Sequence, residues 1–351
     1  MDKSLLISIN QCSKLIKQVI KKVDGWAVCD GLADELIDLE ISYRSEEASM
    51  PIGNDCGADA EGWVYRIYAY GLSDGLVEQG FLEKSDDQDC NTACLEGVVP
   101  DARVDSSGAH GNEVSGFVVV RASENMFQGS TGCFEWDAGY FLAEYILNHP
   151  EEFQDRMVLE LGAGSGAMGA IVSRVTKSKF PIIYTDGDAR TLENCRENLQ
   201  ENNALGPNIY LKQFQWESGW AEIAEYVGKC SGDFKTNGIV ILGADLLYDP
   251  CIIPIIVPLL RDILIHHGGT NCAYLATARR SEETMKKFLN AVGQEEDLLM
   301  EDITREAFDC IGSPKGIRFF HIPSLDWARS RESIVLHRLV LKQRISQNIR
   351  R

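Results

Sequence analysis

A glycine-rich turn is the stretch of this sequence best suited to hold a ligand. The run 158–161, apolar except for Glu160, leads directly into Gly162, Gly164 and Gly166, and a helix-compatible run begins at Ala167. This order of strand, tight turn and helix directs the free N–H groups of the helix toward the crevice above the sheet edge. Glycine lets a ligand approach the backbone closely, because a Cβ atom at these positions would collide with it.

Glu160 distinguishes between the two ligands that this turn can hold. The spacing Gly162-x-Gly164-x-x-Ala167 matches the dinucleotide-binding fingerprint. A carboxylate at the end of the strand repels a pyrophosphate, whereas it attracts the cationic amino-acid group of S-adenosylmethionine. The sequence therefore favours a methyl donor, and the alternatives are a dinucleotide or a structural turn without a ligand.

Two other candidate ligand residues follow the next strands, where ligands of open α/β sheets bind. Asp186 comes about 20 residues after the glycines, where a carboxylate can accept hydrogen bonds from both ribose hydroxyls. Its alternative role is to cap a helix, but Asp188 stands just before the next helix and suits that role better. Trp216 follows the third strand and can either cover a purine face or pack at the rim of the site.

The fourth strand is followed by a carboxylate and a phenol three residues apart, Asp245 and Tyr248. Methyl transfer to an amine is an in-line displacement that needs a neutral nitrogen lone pair. The site must therefore orient a lysine and accept its proton or its hydrogen bonds. A tyrosine ring also attracts ammonium and sulfonium charge. We interpret this pair as catalytic, the alternative being that Asp245 caps the helix that begins near Pro250.

An alternation of strands and helices is required to bring these residues to one sheet edge. The sequence predicts a doubly wound α/β fold with a parallel sheet and right-handed crossovers, followed by an ending that can be antiparallel. The predicted strands are Gly116–Arg121, 158–161, Ile182–Thr185, Ile209–Gln215, Ile239–Gly243, Cys272–Ala278, Leu299–Phe308 and Ser333–Leu341, with no helix between the last two. The predicted helices are Asp137–Asn148, a run from Ala167, Ala189–Asn202, Ile252–His266 and Glu282–Val292.

The N-terminal third has a different character. Its apolar spacing predicts helices at Leu5–Val23, Leu32–Ile41 and Trp63–Leu82, followed by an acidic loop at Glu83–Asn112. Cys90 and Cys94 in that loop have no partner pair or histidine nearby, so no metal site is expected. We therefore predict a mainly helical region at residues 1–112 and an α/β domain at 113–351.

Charge and composition restrict the partners and the compartment. The 351 residues carry a net charge of −19, and residues 1–125 hold 10 Lys and Arg against 23 Asp and Glu. An acidic surface binds phosphate backbones poorly, so no nucleic-acid substrate is expected. No signal-peptide pattern opens the sequence and no apolar run is long enough for a membrane span. With 11 cysteines in no disulfide framework, we expect a reduced cytosolic or nuclear protein, and of these we favour the cytoplasm. We also expect a monomer without membrane contact.

Taken together, the sequence resembles the class I (seven-β-strand) methyltransferases and, more narrowly, methyltransferase family 16, the protein-lysine methyltransferases. The resemblance covers about Phe127 to Ala278. It rests on Gly132-x-x-x-Trp136 before a Leu-rich helix, the glycine turn, Thr185-Asp186, Trp216 and Ala244-Asp-Leu-Leu-Tyr248. Within the family, Gly129-Ser-Thr-Gly-Cys-Phe-Glu-Trp136 and Ala143-Glu-Tyr-Ile-Leu-Asn-His-Pro150 are close to the elongation factor 2 lysine methyltransferases, as is an added N-terminal helical region.

The resemblance implies a site, a cofactor and a substrate. The cofactor would be S-adenosylmethionine, and Asp245 and Tyr248 would stand at the lysine channel. The substrate would be elongation factor 2, with residues 1–112 helping to recognise it. Gln215 departs from the acid that relatives often carry before the tryptophan. The residues implied at the cofactor are Trp136, Gly162, Ala163, Gly164, Asp186, Trp216 and Ala244, in addition to Glu160 from the charge argument above.

Three other functions remain as alternatives. Within the same fold, the chain can methylate another protein or a small amine. It can also be a binding module that kept the fold and lost the chemistry, although Glu160, Asp186, Asp245 and Tyr248 are all present. A nicotinamide-dependent enzyme is disfavoured by Glu160 and by the Asp-x-x-Tyr pair.

Overall fold

The computed structural model describes residues 63–72, 116–123, 131–176, 180–231, 238–266, 270–313, 316–322 and 331–342. The helices predicted at Leu5–Val23 and Leu32–Ile41 lie outside these residues, as does the acidic loop with Cys90 and Cys94. The described elements fall in two compact units, one containing the seven-stranded sheet and the other a three-stranded sheet. Within the described residues, no helix has the length and apolar character needed to span a membrane.

The strands and helices alternate through the middle of the chain. In order, the strands are β1 (Trp63–Leu72), β2 (Gly116–Ser123), β3 (Met157–Leu161), β4 (Ile182–Asp186), β5 (Ile209–Gln213), β6 (Ile239–Ala244), β7 (Cys272–Ala278), β8 (Leu298–Asp302), β9 (Ile317–Ile322) and β10 (Ile334–Leu341). The α-helices are α1 (Asp137–Asn148), α2 (Ala167–Thr176), α3 (Ala189–Glu201), α4 (Gly219–Ser231), α5 (Ile253–His266), α6 (Glu282–Gln294) and α7 (Thr304–Ile311).

The larger sheet has the strand order β5-β4-β3-β6-β7-β10-β8. Strands β3 to β7 run parallel, and β10 lies antiparallel between β7 and β8. This arrangement confirms the predicted doubly wound, Rossmann-like sheet with an antiparallel ending. The chain moves outward from β3 through β4 to β5 and then returns to β6 on the other side of β3. The order therefore reverses between β3 and β6, and ligands of such sheets bind at the carboxyl ends of the strands at this point.

The central strands are buried on both faces, which explains their nearly continuous apolar sequences. All five residues of β3 are buried, as are the first five of β6. Helix α5 adds Ile256, Leu260 and Ile263 to the core on one side of the sheet. A polar group placed in this layer is therefore kept from water, and Glu160 in β3 is such a group, with 2% of its surface exposed.

The predicted helix Trp63–Leu82 is wrong over the residues that the structure describes, because residues 63–72 form β1. β1 pairs antiparallel with β2 on one side and with β9 on the other. Tyr68 and Tyr70 are buried while Arg66 is half-buried, and Tyr70 packs against Phe319 with ring centroids 5.3 Å apart. Aromatic residues two apart fit a pleated surface, where one face is buried, better than they fit a helix.

The prediction that no helix separates the last two strands is also wrong. β8 ends at Asp302, and α7 and β9 come before β10. The Asp302 carboxylate accepts a hydrogen bond from the Thr304 backbone N–H at 3.0 Å, which satisfies a free donor at the first turn of α7. Ala307 and Ile311 form the buried side of this short helix.

One helix is missing from the prediction. Helix α4 is not predicted, although Ile223, Val227 and Cys230 recur on one buried side at helical spacing. β2 forms one compact unit with β1 and β9. The domain boundary after residue 112 and the roles of the two regions stay predictions.

Candidate active site

The glycine turn after β3 adopts a backbone that only glycine accepts easily. Gly162, Gly164 and Gly166 have φ angles of 67°, 56° and 77°, in the left-handed region that L side chains disfavour. A Cβ at Gly162 would lie 2.9 Å from Leu246 Cδ2, and one at Gly166 would lie 2.7 Å from Cys195 Sγ. The sequence analysis explains these glycines by the close approach of a ligand. The structure adds that Gly162 and Gly166 must also lack a Cβ because it would collide with neighbouring protein side chains.

Asp186, the last residue of β4, holds this turn in place. Its Oδ2 accepts a hydrogen bond from the Gly164 N–H at 3.2 Å and its Oδ1 accepts one from the Asp188 N–H at 3.0 Å. Burial raises the pKa of Asp186, and the bonds from these two amides oppose that rise. Asp188 caps α3 by accepting from the Thr191 N–H at 2.7 Å, as predicted. Asp186 is therefore free of the capping role and faces the turn.

Glu160, near the end of β3, places a buried acidic group next to the glycine turn. Its Oε2 is buried and has no hydrogen-bond partner among the described residues. Burial, together with the negative charge of Asp186, raises the pKa of Glu160 well above its ordinary value. Because nearly all buried polar atoms in proteins have a partner, an unpaired carboxylate oxygen here indicates that a ligand supplies one. A cationic donor group fits this position, and an anionic pyrophosphate does not.

Trp216 lies on the other side of the glycine turn. It begins a short 3-10 helix, Trp216–Ser218, and its ring carbon Cζ2 lies 3.4 Å from the position of a Cβ built on Gly162. Its indole Nε1 is buried without a partner in the described part of the chain. The neighbouring Gln215 donates through Nε2 to the Gly187 carbonyl at 2.8 Å, so its amide is tied to the turn after β4.

Asp245 directly follows β6 and has an unusual backbone. Its φ angle is 53°, in the left-handed region where aspartate is more tolerated than most residues. Its Oδ1 accepts from the Ala278 N–H at 2.9 Å, and its Oδ2 accepts from Arg280 at 2.8 Å. Both partners lie just beyond β7 or at its end, so Asp245 does not cap α5.

Tyr248 differs from Asp245 because its side chain is largely open to solvent, with 66% of its surface exposed. Partial desolvation raises the pKa of the Tyr248 phenol, and the negative charges of Asp249, Asp186 and Glu217 add to this rise. The phenol is therefore protonated at neutral pH, where its ring remains a neutral surface for a cation.

Arg280 is a site residue that the sequence reasoning missed. Its guanidinium carbon lies 4.7 Å from the centroid of the Trp136 ring, and the same group binds Asp245. Trp136 immediately precedes α1, and Ala244, the last residue of β6, lies beneath that helix opposite Gly139. The rule that ligands bind at strand ends would have singled out the pair Arg279 and Arg280 after β7, had it been applied to that strand.

The predicted residues thus form two adjoining groups. Glu160, Gly162, Ala163, Gly164, Asp186 and Trp216 surround the glycine turn, where Ala163 donates to the Thr185 carbonyl at 2.8 Å. Trp136, Ala244 and Asp245 form the second group, joined by Arg280. Leu246, the neighbour of Asp245, contacts Gly162 and so connects the two. No cluster of metal-binding side chains occurs among the residues that the structure describes.

Comparison with known proteins assigns this fold to a family. The model of the family described as lysine methyltransferase matches residues 118–295. The chain belongs to this family. The chain is 29% identical over 178 residues to the human protein-lysine N-methyltransferase EEF2KMT, covering 47% of this chain and 51% of the human protein. It is 28% identical over 166 residues to the protein-lysine N-methyltransferase EFM3 of Chaetomium thermophilum, covering 47% of this chain and 48% of that protein.

The aligned part is limited, since the chain spans about half the length of the curated relatives it matches. Among solved structures, an O-methyltransferase from Bacillus cereus in complex with SAH aligns with a TM-score of 0.35 at 12% identity, over 58% of this chain and 80% of that one.

Membership of this family confirms the predicted family and its cofactor, S-adenosylmethionine. The residues present fit this cofactor. The unpaired carboxylate oxygen of Glu160 suits a cationic amino group, and the turn beside it has no side chains at Gly162 and Gly164 to obstruct a ligand. When bound, S-adenosylmethionine supplies an activated methyl group.

Proposed function

We propose that this protein is an S-adenosylmethionine-dependent protein-lysine N-methyltransferase whose substrate is elongation factor 2. One observation carries the proposal. A buried carboxylate, Asp245, and an exposed aromatic ring, Tyr248, follow β6 at the point where the strand order reverses, beside the glycine turn. A lysine side chain needs both kinds of group, because its ammonium interacts with a carboxylate and its charge with a ring face.

The cofactor side of the proposal assigns a task to each residue around the turn. Glu160 binds the cationic amino-acid group, Asp186 accepts hydrogen bonds from the ribose, and Trp216 covers the purine. Gly162, Ala163 and Gly164 bring the backbone close to the cofactor, while Trp136 and Ala244 complete the wall on the side of α1. The contacts that support these tasks are the Gly164–Asp186 hydrogen bond and the unpaired polar atoms of Glu160 and Trp216.

The substrate side of the proposal makes Asp245 an orienting group. Its Oδ1 is fixed by the Ala278 N–H, so a lysine approaches at Oδ2, where the hydrogen bond from Arg280 now lies. The lysine would have to be a neutral amine at this position, its proton having passed to solvent on the exposed side of the site, and Asp245 would accept the remaining N–H bonds and orient the lone pair. Tyr248 provides its exposed ring as the outer wall of the lysine channel.

The identity of the substrate is supported by the relatives and by the openness of the site. Two relatives are named protein-lysine N-methyltransferases, one of them EEF2KMT. With 66% of Tyr248 exposed, the substrate side is accessible to a large protein. We assign residues 1–112 to recognition of that protein. A protein substrate that acts in translation also places the enzyme in the cytoplasm, where we expect it to act as a monomer.

The proposal is tested with purified elongation factor 2 and S-adenosylmethionine labelled in its methyl group. We expect one labelled lysine in elongation factor 2, identified by mass spectrometry of its peptides. Elongation factor 2 whose lysines have been acetylated, and therefore carry no nucleophilic amine, is the substrate control, and the Asp245→Asn protein is the enzyme control. Label in other proteins of an extract but none in elongation factor 2 would refute the substrate assignment and leave methyltransferase activity intact.

A further inference from the structure

One arginine contacts two groups of the site that are suited to bind a cation. Arg280 donates from its guanidinium to Asp245 Oδ2 at 2.8 Å, and its guanidinium carbon lies 4.7 Å from the centroid of the Trp136 ring. A carboxylate and a ring face are the two kinds of group that attract an ammonium ion. The Arg280 guanidinium therefore already occupies the position where the ammonium group of a substrate lysine would bind.

Asp245 does not depend on Arg280 for its position. Its backbone N–H donates to the Ala276 carbonyl at 2.8 Å, and its Oδ1 accepts from the Ala278 N–H at 2.9 Å. These two backbone contacts to β7 hold the Asp245 carboxylate in position without a contribution from Arg280. Arg280 occupies only Oδ2, so its removal leaves the carboxylate in place with one oxygen available.

The two partners of this ion pair differ in exposure. The Asp245 side chain is 5% exposed, whereas that of Arg280 is 47% exposed. The Arg280 side chain is half in solvent, so its guanidinium is readily hydrated when it moves away from Asp245. A buried carboxylate is costly without a cation, so one cation has to replace the other.

We propose that Arg280 is an internal competitor of the substrate lysine, and that its guanidinium occupies the ammonium site until a substrate displaces it. The inference rests on the proposed lysine methyltransferase function and adds a selectivity step to it. Free lysine or a small amine offers only its own charge in exchange for Arg280. A protein substrate adds contacts elsewhere on its surface, and these contacts provide the free energy to displace the arginine.

The first test measures binding without catalysis. n-Butylammonium, which mimics the lysine side chain, is titrated into the full-length protein while the indole N–H resonance of Trp136 is followed by NMR. We expect Arg280→Gln to bind it about five- to tenfold more tightly than the unmodified protein. Arg280→Lys, which keeps a charge but loses the planar group, should give a smaller gain. The double variant Arg280→Gln/Asp245→Asn should lose the gain.

Arg279→Gln is the matched control for this test. Arg279 is the exposed neighbour of Arg280, and its replacement changes the net charge by the same amount. We expect its affinity for n-butylammonium to equal that of the unmodified protein. If both variants gained the same affinity for n-butylammonium, the change in net charge would explain the gain, and the proposal would be overturned. A folded Arg280→Gln protein with unchanged or weaker binding would overturn it as well.

The second test measures turnover. With elongation factor 2 as substrate, Arg280→Gln should lower KM several-fold and leave kcat unchanged, whereas a positioning role for Arg280 predicts a lower kcat. Millimolar guanidinium should inhibit Arg280→Gln competitively and have little effect on the unmodified protein, with sodium chloride at equal ionic strength as the control. A gain in n-butylammonium binding without methylation of elongation factor 2 would refute the proposed substrate and leave the competition by Arg280 standing.

Discussion

The backbone N–H of Gly164 donates to the carboxylate of Asp186 across 3.2 Å, joining the turn after β3 to the end of β4. The acidic residue proposed to bind the ribose therefore also sets the shape of the turn that surrounds the rest of the cofactor. A substitution at Asp186 acts on both functions at once. Its effects on cofactor affinity and on the stability of the turn should be measured together.

Asp186→Ala should weaken the binding of S-adenosylmethionine at least tenfold, because it removes the ribose acceptor and loosens the turn. It should also lower the free energy of unfolding by about 1–3 kcal/mol, since the N–H groups of Gly164 and Asp188 lose their acceptor. Asp186→Asn keeps one oxygen acceptor and should be milder in both respects. Calorimetry and thermal unfolding of the two variants check this. Equal cofactor affinity in all three proteins would contradict the ribose assignment.

Glu160→Gln should stabilise the ligand-free protein at neutral pH while weakening cofactor binding. Burial raises the pKa of Glu160, so the folded state binds its proton more tightly than the unfolded state. Stability from this group is therefore complete below the unfolded pKa of about 4.3 and is lost as the pH rises toward the folded pKa. Glutamine has no charge to bury, so the Glu160→Gln protein does not lose this stability at neutral pH. A gain of 1 kcal/mol in the free energy of unfolding would raise the melting temperature by about 2–4 °C.

The pH dependence provides the check on this prediction. The difference in melting temperature between Glu160→Gln and the unmodified protein should grow from pH 4 to pH 7. Saturating S-adenosylmethionine should reduce or reverse it, because the cation then compensates the carboxylate. A difference that does not change with pH would show that Glu160 is already paired in the ligand-free protein.

Asp245→Asn is the informative substitution at the proposed lysine channel. Asparagine tolerates the φ angle of 53° and can keep the bond from Ala278, so the fold should be nearly unaffected. Turnover should fall by roughly 100-fold or more if the carboxylate orients the amine. Asp245→Ala should in addition destabilise the protein by about 1–3 kcal/mol, because the partly buried N–H of Ala278 loses its acceptor. Full activity per folded molecule in Asp245→Asn would end the catalytic assignment.

Tyr248 should act through its ring more than through its hydroxyl. Tyr248→Phe keeps the ring face and should retain most of the turnover, whereas Tyr248→Ala should reduce it clearly. Because 66% of the residue is exposed, neither change should shift the melting temperature by much. Steady-state kinetics with the protein substrate, together with thermal unfolding, separate the two effects. A phenylalanine variant as inactive as the alanine variant would instead assign the role to the hydroxyl.

The sequence was informative where one local pattern had one physical meaning. The apolar runs of β3 and β6 are short and end at glycines, which favours buried strands, and the closely spaced glycines between β3 and α2 favour a tight turn. β1 was mistaken for a helix because its aromatic residues satisfy both helical and alternating spacing, and its partners β2 and β9 are distant in sequence.

The contact between Asp245 and Arg280 was beyond the reach of the sequence for a related reason. The two residues are 35 positions apart, and their proximity depends on the pairing of β6 with β7. The unpaired oxygen of Glu160 could be anticipated from its place in an apolar strand. That Arg280 already binds the second acid, Asp245, required the structure.

The position of β10 between β7 and β8 has a consequence for the order in which the protein can assemble during translation. Among the strands that the structure describes, β8 pairs with β10 alone, although β8 is synthesised about 30 residues earlier. The five parallel strands and the glycine turn can therefore form while β8 has no neighbour in the sheet. The edge of β7, which carries Ala278 and leads to Arg280, stays unpaired until the ribosome has released residues 334–341. We therefore expect β7, which supports the substrate side of the site, to complete its pairing after β3 has paired with β4 and β6 beside the glycine turn.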